Sequence, residues 1–181
     1  MATLGHVAIG MALGRLHLAG RTAPVRRQLV SLAAYAALAL APDLDFLAEP
    51  WVHDPAAPLA HRVATHSLFA ALAAGAVIGA VAGRRGEPGI RTAILSALAV
   101  ALHGLVDTLS SQGLGVALLW PFSTERLWAP WRIVPGFPAV EDILSPIVVP
   151  ILAVEFLLFL PFLIYALYPW LRAGREGGSR G

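Results

Sequence analysis

The length and composition of this chain exclude most classes of soluble protein. It has 181 residues, of which 57% are hydrophobic and only 13% are charged, and its mean hydropathy is +0.71. Soluble domains average about one half apolar and about one quarter charged residues. Because a chain of this size buries only a limited core, so much apolar surface calls for lipid as the solvent. The composition therefore predicts an integral membrane protein and excludes a disordered chain.

Five apolar segments predict an all-α, polytopic bundle of transmembrane helices. A spanning helix needs about 20 mostly apolar residues, because the hydrocarbon core is roughly 30 Å thick. The first two segments are short and could be partly re-entrant or interfacial. We predict one membrane-embedded domain over residues 1–173 and a disordered basic tail in the cytoplasm over residues 174–181. The five segments cover residues 3–18, 28–41, 67–82, 91–109 and 143–171.

The arginines predict how this bundle is oriented. All thirteen basic residues are arginines, and a five-span topology places ten of them in the loops and tail of one side. Since positively charged loops stay in the cytoplasm, the N-terminus lies outside and the C-terminus inside. Most acids and histidines then fall on the outer side, although acids contribute little to insertion. We therefore predict a multi-pass protein with a polar site on its non-cytoplasmic face.

Four separate segments bring potential metal ligands to this outer face. The chain has no cysteine, so any metal must be held by His, Asp or Glu. His103 and Asp107 are four residues apart, so they share one face of a helix and can bind one metal. The other candidate ligands are His6 near the outer end of span one, Asp43 directly after span two, and His61 and His66 just before span three.

Three neighbouring residues suggest further roles. Asp45 lies beside Asp43, and two carboxylates so close repel each other unless a cation or an arginine compensates them. Arg62 either holds an anionic group of a substrate, because its guanidinium matches phosphate and carboxylate, or pairs with Asp43 or Asp45. Thr65 could cap the helix that begins near His66.

Acids near the fifth span leave more than one interpretation open. Glu155 is predicted to lie in mid-span, far below the outer site. It is either functional or the partner of a polar bond within the bundle. Glu141 and Asp142 lie near the outer end of this span and could contribute a ligand or a base.

Small residues spaced by four predict close packing of helices. Gly10 and Gly14 have this spacing in the first segment, and Gly75, Gly79 and Gly83 have it in the third. Such residues let two backbones approach each other. The pattern favours packing inside one bundle, but it also fits a dimer, so the oligomeric state stays open.

Taken together, these motifs resemble a known family, the inner-membrane-associated, metal-dependent hydrolases of the YdjM type. The resemblance covers about residues 5–123, with one departure at Ser110-Ser111-Gln112-Gly113, where a Thr-Pro-x-Gly-like turn is expected. Four motifs carry it in this order: Gly5-His6, Pro42-Asp43-Leu44-Asp45, the segment from His61 to Ser67, and His103 to Asp107 followed by a polar turn and Leu-Trp-Pro-Phe.

The resemblance implies a divalent metal cofactor, zinc in the first place, with one or two ions, and a hydrolytic reaction in the inner membrane. The ligand scheme is also similar to that of zinc-dependent phospholipase C proteins, which favours a phosphoester-containing lipid or lipid-linked substrate. In the working hypothesis the metal lowers the pKa of a bound water to roughly 7. An aspartate that is not a ligand (Asp43, Asp45 or Asp107) acts as the base, and Arg62 holds the anionic group of the substrate.

Two other functions fit the sequence. A non-catalytic membrane protein could bind metal through the same residues, because closed and open metal sites use the same side chains. A transporter of metal ions or protons would need ionisable residues through the whole membrane depth, which the sequence lacks in the cytoplasmic halves of its spans apart from Glu155. Nothing indicates binding to nucleic acid, since topology explains the basic loops. The aromatic residues of segments 118–120 and 128–131 form either an apolar lip or simple interfacial anchors.

Overall fold

The described part of the chain is built from helices. The computed structural model describes residues 3–136 and 145–178, with side chains as far as residue 168. Two 3₁₀ segments, Ala41–Trp51 and Ala64–His66, follow the second helix and precede the third, and no β-strand occurs in the described ranges. The five α-helices are α1 (Thr3–His17), α2 (Val25–Leu40), α3 (Leu68–Arg84), α4 (Gly89–Thr108) and α5 (Val148–Gly178).

These five helices correspond to the five apolar segments, and the predicted all-α membrane bundle is confirmed. In the described residues three segments are long and apolar enough to cross a membrane: Val25–Trp51, Gly89–Thr108 and Val148–Tyr168. Helices α1 and α3 have 15 and 17 residues. At 1.5 Å per residue they span about 22 and 26 Å, less than a core of roughly 30 Å. The number of spans and their orientation stay predictions.

The ends of the fifth segment differ from the predicted ones. Helix α5 begins at Val148 rather than at residue 143. It ends at Gly178, so residues 174–178 of the predicted tail continue the helix, and residues 179–181 lie outside the described part.

Close backbone contacts join the helices into two hairpins. Gly10 and Gly14 lie against the backbone of α2, because a Cβ at either position would overlap its carbonyl oxygens. Gly75 and Gly79 lie in the same way against α4. Helix α1 also packs against α4 and α5, and α4 contacts α2. The glycine spacing therefore serves packing inside one bundle, as the sequence favoured.

The two ends of this bundle carry different chemistry. At one end, Arg27 Nη2 lies 2.6 Å from Glu87 Oε1, which joins the first turn of α2 to the α3–α4 loop. Arg91 at the same end donates to the carbonyls of Leu16 and Ala19. His6 and Asp107 lie at the opposite end, where α1 begins and α4 ends. These two arginines are thus separated from the candidate ligands by the length of the bundle.

Loop segments 41–66 and 110–136 cover the end that carries the candidate ligands. They are held to each other and to α3 by backbone hydrogen bonds, from Leu68 N to Leu118 O at 3.0 Å and from Ala117 N to Arg62 O at 2.9 Å. The loops therefore fix the residues that precede α3 in space, although they contain little regular structure.

The glycine contacts predict a difference between two neighbouring positions of α3. Gly79→Ala should lower the free energy of unfolding by about 1–3 kcal/mol, because its Cβ overlaps Ala93 and Gly89 on α4. Gly83→Ala is the matched control, since the nearest atom to its Cβ lies 3.8 Å away. Thermal unfolding of both variants in detergent measures the difference. Equal unfolding midpoints would contradict this account of the packing.

Candidate metal centre

Four side chains from distant parts of the sequence converge on one point. Asp43 comes from the 3₁₀ segment after α2, His66 from the short 3₁₀ turn before α3, and His103 and Asp107 from α4. One ligand atom of each lies within 4.8 Å of the other three. His66, His103 and Asp107 are buried, and the side chain of Asp43 is 11% exposed. We call these four residues the ligand cluster.

The distances within the ligand cluster match the edges of a tetrahedron. The Nε2 atoms of His66 and His103 are 3.0 Å apart. Asp43 Oδ1 lies 3.5 and 3.4 Å from these two nitrogens, and Asp107 Oδ2 lies 3.6 and 3.9 Å from them. A tetrahedral zinc ion with bonds of about 2.0–2.1 Å holds its ligands roughly 3.3 Å apart. An ion of this size therefore fits among the four atoms with small adjustments.

Hydrogen bonds at the outer ring nitrogens orient both imidazoles of the cluster. His103 Nδ1 lies 2.6 Å from the carbonyl oxygen of Ala39, which can only accept. His66 Nδ1 lies 3.0 Å from the hydroxyl oxygen of Thr65, whose own proton is donated to Asp45 at 2.6 Å. With the proton on Nδ1, each Nε2 presents a lone pair to the centre, as in metal-binding histidines. Two lone pairs 3.0 Å apart repel each other unless a cation or a proton lies between them.

Buried oxygens without hydrogen bonds provide a second test of the metal. Both carboxylate oxygens of Asp43 and Oδ2 of Asp107 are buried and have no hydrogen-bond partner. Burying a carboxylate is costly unless charge compensates it. A divalent cation in the cluster would compensate all three oxygens and both imidazole lone pairs. The donor set of two nitrogens and two oxygens suits zinc, so the residues present fit the implied metal.

Asp107 is held from two further sides. Arg62 Nε lies 3.0 Å from Asp107 Oδ2, an ion pair that lacks hydrogen-bond geometry. His6 Nε2 lies 3.2 Å from Asp107 Oδ1, and the His6 ring stacks on that of His103 at 3.8 Å. The alternative partners of Arg62, Asp43 and Asp45, were therefore wrong. Arg62 has a positive φ of 66°, and this backbone conformation helps to direct its side chain to α4.

Asp45 organises the loop beside the cluster. Its two oxygens receive the hydroxyl of Thr65 at 2.6 Å, the backbone N–H of Arg62 at 3.3 Å, and Nδ1 of His61 at 2.7 Å. Asp45, His61 and His66 form a second group that could hold a metal. The 2.7 Å separation is, however, a hydrogen-bond distance and shorter than the edge of a tetrahedral zinc site.

Electrostatics around His66 favour a positive charge at the cluster. Burial lowers the pKa of this imidazole, but the carboxylates of Asp43 and Asp45 raise it by more, and its pKa is raised overall. The acidic surroundings thus stabilise a cation at this ring, whether a proton or a metal ion.

Comparison with known proteins identifies the family. The family model described as YdjM inner membrane protein matches residues 1–175. The chain belongs to the YdjM inner membrane protein family. Inner membrane protein YbcI of Escherichia coli (strain K12) is 31% identical over 134 residues, which cover 74% of this chain and 75% of that relative. No solved structure matches the chain. The inner membrane, which both names specify, fits the apolar helices.

In this member of the YdjM family, the cap of α3 differs from the sequence prediction. Ser67 precedes the helix and its hydroxyl oxygen accepts from Ala70 N at 3.0 Å. Thr65 was the predicted cap, but its hydroxyl binds Asp45 instead. Both residues are hydroxylic and suit the position, so the sequence alone could not separate them.

Two residues that support the centre were missed. Arg126 donates to the carbonyl oxygens of Pro55, His61 and Gly115, and so fixes the loop that carries His61. The only signal for it was an arginine on the side predicted to be poor in them. Gly104 lets α4 approach His66, because a Cβ there would overlap the His66 carbonyl oxygen.

Glu155 lies closer to the site than the sequence suggested. Its side chain is fully buried, and Oε2 accepts from Leu4 N at 3.1 Å, so it caps the first turn of α1, two residues before His6. The prediction that it lies far below the outer site was therefore wrong, and the alternative of a polar bond within the bundle is confirmed. Glu141 and Asp142 lie outside the described residues.

This cap gives a prediction for Glu155. Glu155→Ala removes an acceptor from the first turn of α1 and should lower the free energy of unfolding by about 1 kcal/mol. Glu155→Gln keeps an oxygen acceptor and should unfold closer to wild type. Thermal unfolding in detergent compares the two variants. If both lose the same stability, the negative charge rather than the acceptor is what matters.

Proposed function

We propose that this protein is a membrane-bound, metal-dependent hydrolase that cleaves a phosphoester in a lipid or lipid-linked substrate. The observation that carries the proposal is the ligand cluster, whose spacing suits a tetrahedral zinc ion. The resemblance to metal-dependent hydrolases supports the reaction type. The distribution of arginines supports a site on the non-cytoplasmic side of the inner membrane.

In this proposal His66, His103 and Asp43 hold the ion, and Asp107 is the base. A divalent ion held by these three side chains would supply Lewis acidity and activate water near neutral pH. Asp107 Oδ2 lies 3.6 and 3.9 Å from the two imidazole nitrogens, and in this proposal its carboxylate takes a proton from water beside them. His6 and Arg62 keep its two oxygens in position.

Arg62 and His61 complete the proposed machinery. Arg62 forms an ion pair with Asp107 and donates to the Gln112 carbonyl at 3.1 Å, and its fork has further donors for a phosphate oxygen. His61 is oriented by Asp45 and its side chain is 20% exposed. We assign it the role of proton donor to the leaving alkoxide. In this step the water oxygen bonds to phosphorus and its proton passes to Asp107. The P–O bond to the alkoxide breaks, and His61 protonates the alkoxide.

The surface around the cluster favours a substrate that resides in the membrane. Large apolar side chains are exposed in both loop segments that cover the site. Tryptophan prefers the boundary between lipid and water, so this rim can lie against the membrane surface and admit a lipid from the side. The most exposed of these side chains are Leu47 and Trp51 in the 3₁₀ segment and Phe122 and Trp131 in the second loop.

A second candidate function rests on the same cluster. Four protein atoms in tetrahedral array, nearly all buried, are also typical of a structural zinc site, whereas a catalytic site keeps one position for water. In that case the metal would stabilise the loops and the protein would not hydrolyse anything. The two functions differ in whether Asp107 is a ligand or a base.

Metal analysis tests the proposal directly. The purified wild type should contain stoichiometric zinc, and His66→Ala should lose most of it because an Nε2 ligand is gone. His53→Ala is the matched control, since His53 is an exposed loop histidine outside the cluster. Hydrolysis of phosphatidylglycerol should disappear with chelator and return with zinc. A wild type without bound zinc, or a His66→Ala variant with the full zinc content of the wild type, would contradict the proposal.

The role of His61 predicts a dependence on the leaving group. His61→Ala should keep its metal but hydrolyse phosphatidylglycerol about 100-fold more slowly, because an alkoxide needs a proton donor. Hydrolysis of bis(p-nitrophenyl) phosphate should change little, because p-nitrophenolate leaves without one. Loss of metal in parallel with activity would show that His61 is a ligand, as the sequence suggested.

A further inference from the structure

A groove between α2 and the α3–α4 hairpin lies outside the machinery described so far. It has a volume of about 580 Å³, in the range of ligand pockets. It follows α2 from Arg27 to Ala41, and a helix of this length is roughly 21 Å long. Three small side chains contribute to the space, Ala34 and Ala37 on α2 and Ala41 just after it, while Val30 and Leu38 add aliphatic wall.

The groove offers hydrocarbon contact despite the polar residues in it. Ser31 donates to the Gly14 carbonyl at 2.8 Å, and Thr92 donates to the Pro88 carbonyl at 3.1 Å. Tyr35 Oη lies 3.1 Å from His17 Nδ1. Since these polar groups have partners inside the protein, they need no hydrogen bond from a ligand in the groove. Apart from Ser96 and the Arg27–Glu87 ion pair, the remaining wall is aliphatic and suits an extended acyl or prenyl chain.

The two ends of the groove indicate how such a chain is oriented. At the upper end, Ala41 precedes Asp43, the most exposed member of the ligand cluster, by two residues. At the lower end, Arg27 is paired with Glu87, and Arg91 donates to two backbone carbonyls. The arginines nearest the groove are therefore already engaged, and the metal centre is the better location for an anionic headgroup.

We propose that this groove binds one hydrocarbon chain of a lipid whose phosphate lies at the metal centre. The chain runs down α2 with its terminal methyl near His17 and Leu18. This inference rests on the proposed function for the position of the headgroup. It adds the class of substrate, a lipid with at least one long chain, and a binding site for that chain.

Photocrosslinking tests the site and the orientation without requiring turnover. The probe is phosphatidylglycerol with a diazirine at the end of one 16-carbon chain, reconstituted with the wild-type protein in vesicles. We expect label on the peptides that contain His17 and Leu18. Label concentrated near Leu38 and Ala41 would place the headgroup at the arginine end, and label spread over all lipid-facing helices would indicate bulk lipid. Either result overturns the proposal.

Matched variants of α2 sharpen the test. Ala34→Trp fills the groove and should reduce the label several-fold, whereas Ala33→Trp, exposed on α2 but outside the groove, should not. Ile78→Trp on the opposite wall should act like Ala34→Trp, which guards against a local folding defect. Zinc content should be unchanged in all three. Equal labelling of Ala33→Trp and Ala34→Trp would contradict the groove.

Hydrolysis separates this proposal from the proposed function. Ala34→Trp should slow the hydrolysis of long-chain phosphatidylglycerol several-fold and leave that of bis(p-nitrophenyl) phosphate unchanged, because remote binding energy supports only the long substrate. If the wild type hydrolyses neither compound but still gives the groove-specific label, the lipid-binding groove is supported and the proposed hydrolysis is contradicted. If both substrates slow equally, the groove does not hold the chain.

Discussion

The structure depends on a cluster of charges and lone pairs that repel one another in a buried place. Two imidazole nitrogens face each other at 3.0 Å beside the carboxylates of Asp43 and Asp107. In a buried place such an arrangement needs a proton or a metal ion to compensate it. The surrounding contacts hold the cluster in place: the Ala39 carbonyl and the Thr65 hydroxyl orient the two imidazoles, while His6 and Arg62 restrain Asp107.

The helices supply the rigidity that this cluster needs. Glycines bring α1 onto α2 and α3 onto α4 at backbone contact, and α4 joins the two hairpins. His103 and Asp107 therefore lie on the helix that contacts both α1 and α2 as well as α3, and the other two members of the ligand cluster approach from the ends of α2 and α3. Gly104 extends the same device to the site itself, since it brings the His66 backbone against α4. Close contact between a glycine and a neighbouring backbone thus serves both the packing of the helices and the geometry of the candidate metal site.

Much of this could be predicted from the sequence, because membrane helices and metal ligands both leave strong patterns. The five helices follow from hydropathy, and Asp43, His66, His103 and Asp107 follow from their positions at predicted helix ends. The pairing of Arg62 with Asp107 could not be predicted, because it joins a loop residue to α4 across the fold and no local pattern connects the two. The position of Glu155 beside the first turn of α1 depends on how far α5 is shifted along α1, and the hydropathy of the sequence does not report this shift.

The depth of the cluster in the bilayer supports the proposal that its substrate is a lipid. Arg91 and His103 are twelve residues apart on α4, or about 18 Å, and the hydrocarbon core is roughly 30 Å thick. If Arg91 marks the cytoplasmic boundary, the cluster lies below the outer boundary, under loops with exposed apolar side chains. A water-soluble phosphoester would have to leave water to reach it. A lipid in the same leaflet as the cluster would need only a lateral path, and in our proposal the groove along α2 binds its chain.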